Sequence, residues 1–178
     1  TLSVCAAFGV RVIHKAFSNF RDQRNFAQEQ CRHPWVLALD ADEVPTTSFV
    51  AALRRLKEQG FRQNGSEPDA FQIERAWFVK GRPVHAFFPV KSPDLPIRLV
   101  RRDRVRYDRD ACAVHAGPSG HRLLGRLEGV VNHYTCETDE ELFAKLDFYT
   151  TMAAQDMRRR GRSATWAARR TRSSSPSA

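Results

Sequence analysis

The apolar residues of the chain fall into short continuous runs and into stripes of helical spacing. Runs at residues 10–13, 35–39, 70–78, 97–100 and 130–131 predict strands. The run at residues 35–39, Trp-Val-Leu-Ala-Leu, contains no polar position. Such a run is typical of a strand that is buried on both faces of a parallel sheet.

Segments of helical character separate these runs. Good helix formers occupy residues 20–32 behind a capping residue at Asn19 or Ser18, and Pro34 ends the segment. Further helices are predicted over residues 46–59 and 139–160, each with apolar residues on one face. The alternation of strands and helices predicts an α/β fold with a mixed sheet flanked by helices.

Two carboxylates follow the most apolar strand directly. Asp40 and Asp42 stand at positions i and i+2, so that a continuing strand would direct both side chains to one side and Ala41 to the other. Two such carboxylates at a strand end repel each other unless a cation lies between them, and Mg²⁺ or Mn²⁺ suits that place. Asp-x-Asp also occurs by chance in acidic turns, so the spacing alone carries little weight.

The excess of positive charge is concentrated in two stretches, residues 101–109 and 158–172. The 178 residues carry a formal net charge of +9. A run without an intervening acid contains seven arginines: Arg158, Arg159, Arg160, Arg162, Arg169, Arg170 and Arg172. Such a run suits anionic partners, whether phosphate groups, lipid headgroups or nucleic acid, and a solvated tail over residues 161–178 is an equally good interpretation.

Composition excludes several classes of protein. No stretch approaches the roughly 20 apolar residues that a membrane-spanning helix needs. The four cysteines have no paired spacing, which argues against a disulfide framework and a zinc site and favours buried thiols in a reducing cytoplasm.

Several short motifs occur in a fixed order around the acidic pair. Arg24-Asn25 precedes the apolar strand by about one helix, and the strand ends in Leu39-Asp40-Ala41-Asp42-Glu43. Later motifs are Arg98-Leu99-Val100-Arg101-Arg102, Val114-His115, Gly125-Arg126-Leu127, His133-Tyr134, and Lys145 with Tyr149. This series, over residues 9–160, resembles the family 2 glycosyltransferases of GT-A fold, and most closely their lipopolysaccharide-core branch.

The resemblance implies roles for several of the matched residues. It implies that Asp42 binds a divalent metal, that Asp40 contacts the metal or the ribose, and that Arg24 and Asn25 line the nucleotide pocket. Arg98 and Arg102 would meet phosphate or a charged acceptor, since guanidinium groups suit those oxygens. Alternation along a strand would place Arg98 and Arg102 on one face, and a solvated basic strand is the alternative interpretation of this pair.

The catalytic base departs from the family pattern. An inverting transferase needs a group that takes the proton of the acceptor hydroxyl. The family usually has glutamate after the Val-His pair, whereas this chain has Ala116. The proton is then taken by His115 or by a carboxylate such as Asp94, Asp108 or Asp110, or the chain is impaired. A purely structural role for His115 is as good an interpretation as a catalytic one.

The resemblance also implies a domain organisation and a cellular place. Residues 1–160 would form a partial GT-A domain that lacks the family's first strand-helix-strand unit, and residues 161–178 a basic, serine-rich tail. The expected protein transfers a sugar from a nucleotide-sugar donor to a saccharide or lipid-linked acceptor in the cytoplasm, with peripheral contact to the inner membrane through the arginine run. The 178 residues alone are expected to be inactive.

Two other classes of function compete with this interpretation. A basic nucleic-acid-binding module would explain the arginine run, but the chain shows none of the usual nucleic-acid-binding motifs. A metal-dependent phosphohydrolase would explain Asp40 and Asp42, but no further ligands lie near them in sequence. Neither class explains the ordered motifs after residue 95.

Overall fold

The computed structural model of the protein describes residues 2–87, 90–107, 117–159 and 161. Its helices are α1 (Leu2–Ala7), α2 (Phe20–Glu29), α3 (Thr47–Glu58) and α4 (Asp139–Arg159). Its strands are β1 (Trp35–Leu37), β2 (Glu43–Pro45), β3 (Ala70–Val79), β4 (Arg82–Pro83), β5 (Ala86–Phe87), β6 (Val90–Lys91), β7 (Ile97–Arg101), β8 (Arg106–Tyr107), β9 (Pro118–Ser119) and β10 (Leu124–Cys136).

The main sheet is mixed, and it confirms the predicted α/β class. Its strands lie in the order β1-β7-β3-β10-β2, and β4 extends β3 at one end. Within this sheet β3 and β10 run parallel, while the other described pairs are antiparallel. Two small hairpin sheets, β5-β6 and β8-β9, lie apart from it.

Helix α3 covers one face of the sheet. Thr46 caps its first turn, since the side-chain oxygen accepts a hydrogen bond from the Phe49 amide. Phe49, Ala52 and Leu56 recur at helical spacing on the buried side and pack in one cluster with apolar residues of the sheet. This cluster is the core, and Phe71, Ile73 and Val131 in it are fully buried.

Strand β1 differs from the strand that the apolar run predicts. It ends at Leu37, its residues are half-buried, and it pairs with β7 alone and antiparallel. The predicted strand with two buried faces in a parallel sheet is therefore wrong, because β1 lies at the edge of the described sheet.

The segment of residues 10–13 is not a strand. Val10, Val12 and Ile13 are 52, 43 and 41% exposed, and no described strand pairs with them. β-Branched residues favour a strand only where a neighbouring strand and a packing face are available, and here they have neither.

Strand β10 is much longer than the two residues predicted. Gly125 and Gly129 and several polar residues interrupt the apolar pattern of its 13 residues. The parallel pairing with β3 shifts register between Arg126 and Val130, so an irregularity in the ladder accommodates the interruption. In contrast, α4 begins at Asp139, the residue at which the sequence predicts its start.

Candidate functional site

The acidic pair lies in a turn between β1 and β2. The backbone amide of Glu43 donates to the Asp40 carbonyl at 3.0 Å, and the side-chain Oε2 of Glu43 accepts from the Asp40 amide at 3.1 Å. The Tyr134 amide of β10 donates to the Asp42 carbonyl at 2.9 Å. Asp40 and Asp42 thus do not alternate along a strand, and the expectation based on strand geometry is wrong.

Beneath this turn lies a buried ladder of charges. The Glu43 side chain is fully buried and accepts hydrogen bonds from Arg75 of β3, at 2.8 Å, and from Arg98 of β7. Arg98 also donates to Asp40 Oδ2 at 2.6 Å, and Arg75 donates to both oxygens of Asp94 at 2.9 and 2.6 Å. Opposite charges therefore alternate from Asp94 through to Asp40.

The ladder keeps its arginines charged. Burial alone lowers the pKa of Arg98, but the charges of Glu43 and Asp40 outweigh it and hold that pKa above the ordinary value. The pKa of Arg75 is likewise raised despite burial, because Arg75 donates hydrogen bonds to the carboxylates of Asp94 and Glu43. A buried arginine whose carboxylate partner was removed would lose this compensation.

Asp42 belongs to a second group of charges. Its Oδ2 lies 3.2 Å from Nε2 of His133 on β10 and 3.5 Å from Nζ of Lys145 on α4. Burial raises the pKa of Asp42, but the hydrogen bond to His133 and the charges of His133 and Lys145 prevail, so the pKa lies below its ordinary value. The Asp42 carboxylate is therefore ionised at neutral pH.

His133 is fixed in place by packing. Its ring makes an edge-to-face contact with Trp77 at 4.4 Å between centroids, and the Trp77 Nε1 donates to Asp94 at 2.9 Å. The Arg75 guanidinium lies over the Trp77 ring at 4.7 Å. Trp77 therefore connects the two groups of charges into one site.

Accessibility divides the site into two layers. The side chains of Glu43, Arg98, His133 and Arg75 are 0, 7, 10 and 12% exposed. Those of Asp40, Asp42 and Lys145 are 48, 35 and 34% exposed. A ligand can therefore reach the three more exposed side chains, while the four buried ones lie beneath them and support them.

The structure places the two predicted arginines of the Arg98–Arg102 motif apart. Arg98 is buried and bound to Asp40 and Glu43. Arg102 lies beyond the end of β7 and donates to the Cys31 carbonyl. The expectation that Arg98 and Arg102 share one face of a strand is wrong, because the strand ends at Arg101.

Arg24 and Asn25 of α2 meet the site through Tyr107. The Asn25 side-chain amide donates to the Tyr107 carbonyl and accepts from the Tyr107 backbone N–H, both at 3.0 Å. The Arg24 guanidinium lies 5.4 Å from the Tyr107 ring centre. Burial raises the pKa of Tyr107. The charges of Arg24 and Arg98 lower this pKa, and the charge of Asp40 raises it. Tyr107 is thus within electrostatic range of both the helix and the acidic turn.

The candidates for the catalytic base are only partly accounted for. His115, Asp108, Asp110 and Ala116 lie outside the described residues. Asp94 is described, and its carboxylate oxygens already accept from Arg75 and Trp77. An acid held in this way is better suited to position its partners than to take a proton from an acceptor.

Four residues of the site are absent from the roles assigned from sequence: Glu43, Arg75, His133 and Lys145. Glu43, His133 and Lys145 stand in the ordered motifs without an assigned role, and strand alternation gives a further signal for Arg75 and His133. Arg75 alternates with Ile73 and Trp77 along β3, and His133 alternates with Val131 along β10, so polar residues stand at positions of the apolar face. The same face that packs on α3 therefore continues into the site.

The described residues contain no group of three or more His, Cys, Asp and Glu side chains that could hold a metal ion. Nor is any helix in that part of the chain long and apolar enough to cross a membrane.

The described part of the chain is thus a mixed α/β sheet with two partly exposed carboxylates in a turn over a buried charge ladder. No protein-family model matches the chain. The lipopolysaccharide core biosynthesis glycosyltransferase LpsC of Rhizobium meliloti is 26% identical over 155 residues, 85% of this chain and 54% of the relative. Uncharacterized glycosyltransferases of Rickettsia typhi and Rickettsia prowazekii are 23 and 24% identical over 174 residues, 91% of this chain and 56% of each relative.

These matches confirm the resemblance to glycosyltransferases that the ordered motifs indicate. They do not favour the nucleic-acid-binding alternative. The chain spans about half the length of the curated relatives it matches.

Proposed function

We propose that the chain carries part of the active site of a glycosyltransferase that moves a sugar from a nucleotide-sugar donor to a saccharide or lipid-linked acceptor. The observation that carries this proposal is the pair of reachable carboxylates, Asp40 and Asp42, over a buried charge ladder. The similarity to glycosyltransferases over most of the chain supports it, and the name of one relative favours an acceptor in lipopolysaccharide core synthesis.

Asp42, together with Asp40, would hold Mg²⁺ or Mn²⁺. Both carboxylates are partly exposed, and the lowered pKa of Asp42 keeps it in the form that binds a cation. Two protein ligands suffice for such an ion when substrate phosphates and water complete its shell. The metal would neutralise charge that develops on the leaving nucleoside diphosphate.

The remaining residues would position these ligands. Arg98 and Glu43 orient Asp40 by direct hydrogen bonds, so the role of Arg98 in this proposal is support of the turn. Arg24 and Asn25 would border the donor nucleotide through their contacts with Tyr107. Transfer with inversion requires a base, for which His115 stays the prediction.

The proposed protein works in the cytoplasm beside the inner membrane. The arginines between residues 158 and 172 would contact anionic headgroups at the cytoplasmic face. This contact would bring the site close to a lipid-linked acceptor.

Removing the charge of Asp42 tests the proposal. Asp42→Asn should abolish the Mn²⁺- or Mg²⁺-dependent binding of nucleoside diphosphates in calorimetry, because an amide supplies no charge to the ion. Asp40→Asn should weaken the binding. Asp147→Asn is the matched control, since Asp147 is exposed on α4. Unchanged metal-dependent affinity in Asp42→Asn would show that the metal assignment is wrong.

A further inference from the structure

We propose that Lys145 binds the diphosphate of the donor directly. The inference rests on the proposed function and adds a binding residue to it. It follows from the position, the exposure and the hydrogen-bonding capacity of this one ammonium group.

Among the described residues, three basic side chains of Arg and Lys pair with the carboxylates of the site, and they differ in access. Arg98 and Arg75 are 7 and 12% exposed, and their guanidinium groups bind Glu43, Asp40 and Asp94. Lys145 is 34% exposed, about as much as the Asp42 carboxylate beside it. A diphosphate that reaches Asp42 through a shared metal therefore meets Lys145 and does not meet the two buried arginines.

The ammonium group is held in place by the fold. Lys145 lies on α4, whose chain follows β10 directly, and its Nζ donates to the Thr135 carbonyl of that strand. Thr135 stands two residues after His133, so one strand positions both partners of Asp42. The Lys145 ammonium is thus anchored by the same elements as the carboxylate.

Lys145 also has a donor to spare. An ammonium group has three N–H bonds. The Thr135 carbonyl takes one, and Asp42, at 3.5 Å, accounts for a second among the described residues. The third can be donated to a phosphate oxygen, a ligand that lysine binds as a point charge.

The charges around Asp42 also favour a contact between Lys145 and a diphosphate. The Asp42 carboxylate lies 3.2 Å from Nε2 of His133 and 3.5 Å from Nζ of Lys145. A divalent ion bound to Asp42 would add positive charge beside Lys145, and a diphosphate would offset that charge. The Lys145 ammonium would then interact with the phosphate oxygens in place of the Asp42 carboxylate.

Three variants of the full chain test the inference. Lys145→Met removes the charge, Lys145→Arg keeps it, and Lys80→Met removes a lysine that is 49% exposed and pairs with Asp139 at the start of the same helix. Calorimetry with saturating Mn²⁺ measures the dissociation constants for ADP, CDP, GDP and UDP, and thermal melting checks the fold.

We expect Lys145→Met to weaken the binding of the best-bound diphosphate about tenfold or more, which is the effect of losing one charge-assisted hydrogen bond. Lys145→Arg should restore most of the affinity, and Lys80→Met should leave it unchanged. The affinity for Mn²⁺ alone should not fall in Lys145→Met, because the lysine repels a cation at Asp42.

Each contrary result is distinct. Wild-type affinity in Lys145→Met would overturn the inference and leave the proposed function intact. Equal losses in the Met and Arg variants, or a fall in Mn²⁺ affinity in Lys145→Met, would overturn it as well, since the residue would then act through structure and not through its charge. Absence of diphosphate binding in the wild type would overturn the proposed function together with the inference.

Discussion

At the scale of single residues, the buried carboxylates determine how the charged side chains of this protein are arranged. Glu43 accepts hydrogen bonds from two arginines beneath the acidic turn. Asp69, the residue before β3, likewise pairs with two arginines, Arg104 and Arg122. The sequence indicates that Asp40 and Asp42 are special, because they end an apolar run. It cannot show that Glu43 is the fully buried member of the group, since that depends on strands β3 and β7 meeting it from distant parts of the chain.

Asp69 should make stability depend on pH. Its carboxylate accepts from Arg104 at 2.5 Å and from the Arg122 amide at 3.0 Å, and these bonds lower its pKa to about 2. The unfolded value is about 3.9, so the stabilising effect is complete above about pH 4 and is lost as the pH falls through about 2.

Asp69→Asn should therefore lower the free energy of unfolding by roughly 1–3 kcal/mol at pH 6. Urea titrations of both proteins at pH 6 and at pH 2.5 measure this difference, which should shrink at the lower pH. A difference that stays constant between the two pH values would contradict the assignment.

At the scale of elements, periodicity predicts those that pack by a regular face. Helices α3 and α4 and strands β3 and β7 occur where the apolar pattern places them. Strand β10 is missed along most of its length because glycines and polar residues interrupt it. Residues 10–13 are wrongly predicted because β-branched composition does not supply a pairing partner. The edge position of β1 depends on which strands meet, and no local pattern contains that information.

Gly129 on β10 explains one of these interruptions. Its φ is +87°, and a Cβ built on it would lie 2.5 Å from the Phe49 backbone at the start of α3. Gly129→Ala should lower the free energy of unfolding by more than about 1 kcal/mol, since both the backbone angle and the close approach oppose the methyl group.

Gly117→Ala is the matched control in the same denaturant titration. No atom of the described residues lies within 4 Å of a Cβ at Gly117, so that variant should change stability by less than about 0.5 kcal/mol. Equal effects of the two substitutions would mean that α3 does not lie against β10 at this position.

At the scale of the whole molecule, packing and chemistry share one face of the sheet. Phe71 and Ile73 of β3 and Val131 of β10 pack on α3, while Trp77 and His133 farther along the same strands build the site. The core that stabilises the fold thereby also fixes the charges. The family resemblance could be recognised from ordered motifs alone, but the layering of buried and reachable charges required the structure.

The arginine run that begins in the last residues of α4 gives the sequence a marked charge asymmetry. All seven arginines between residues 158 and 172 come after Met157, without an acid among them. Each basic residue near an anionic surface contributes roughly 1 kcal/mol of attraction, which salt screens. We therefore predict that the full chain sediments with anionic vesicles at low salt and that a version ending at Met157 does not.

Two controls separate charge from other effects of shortening the chain. A full-length variant with the seven arginines replaced by glutamine should behave like the shortened version, because attraction to the headgroups depends on charge and not on length. Neutral vesicles should pellet none of the three proteins, and raising the salt should release the wild type from anionic vesicles, since the Debye length falls to about 3 Å at 1 M. If the wild type and the glutamine variant pellet equally on anionic vesicles at low salt, the arginine run is not a membrane contact.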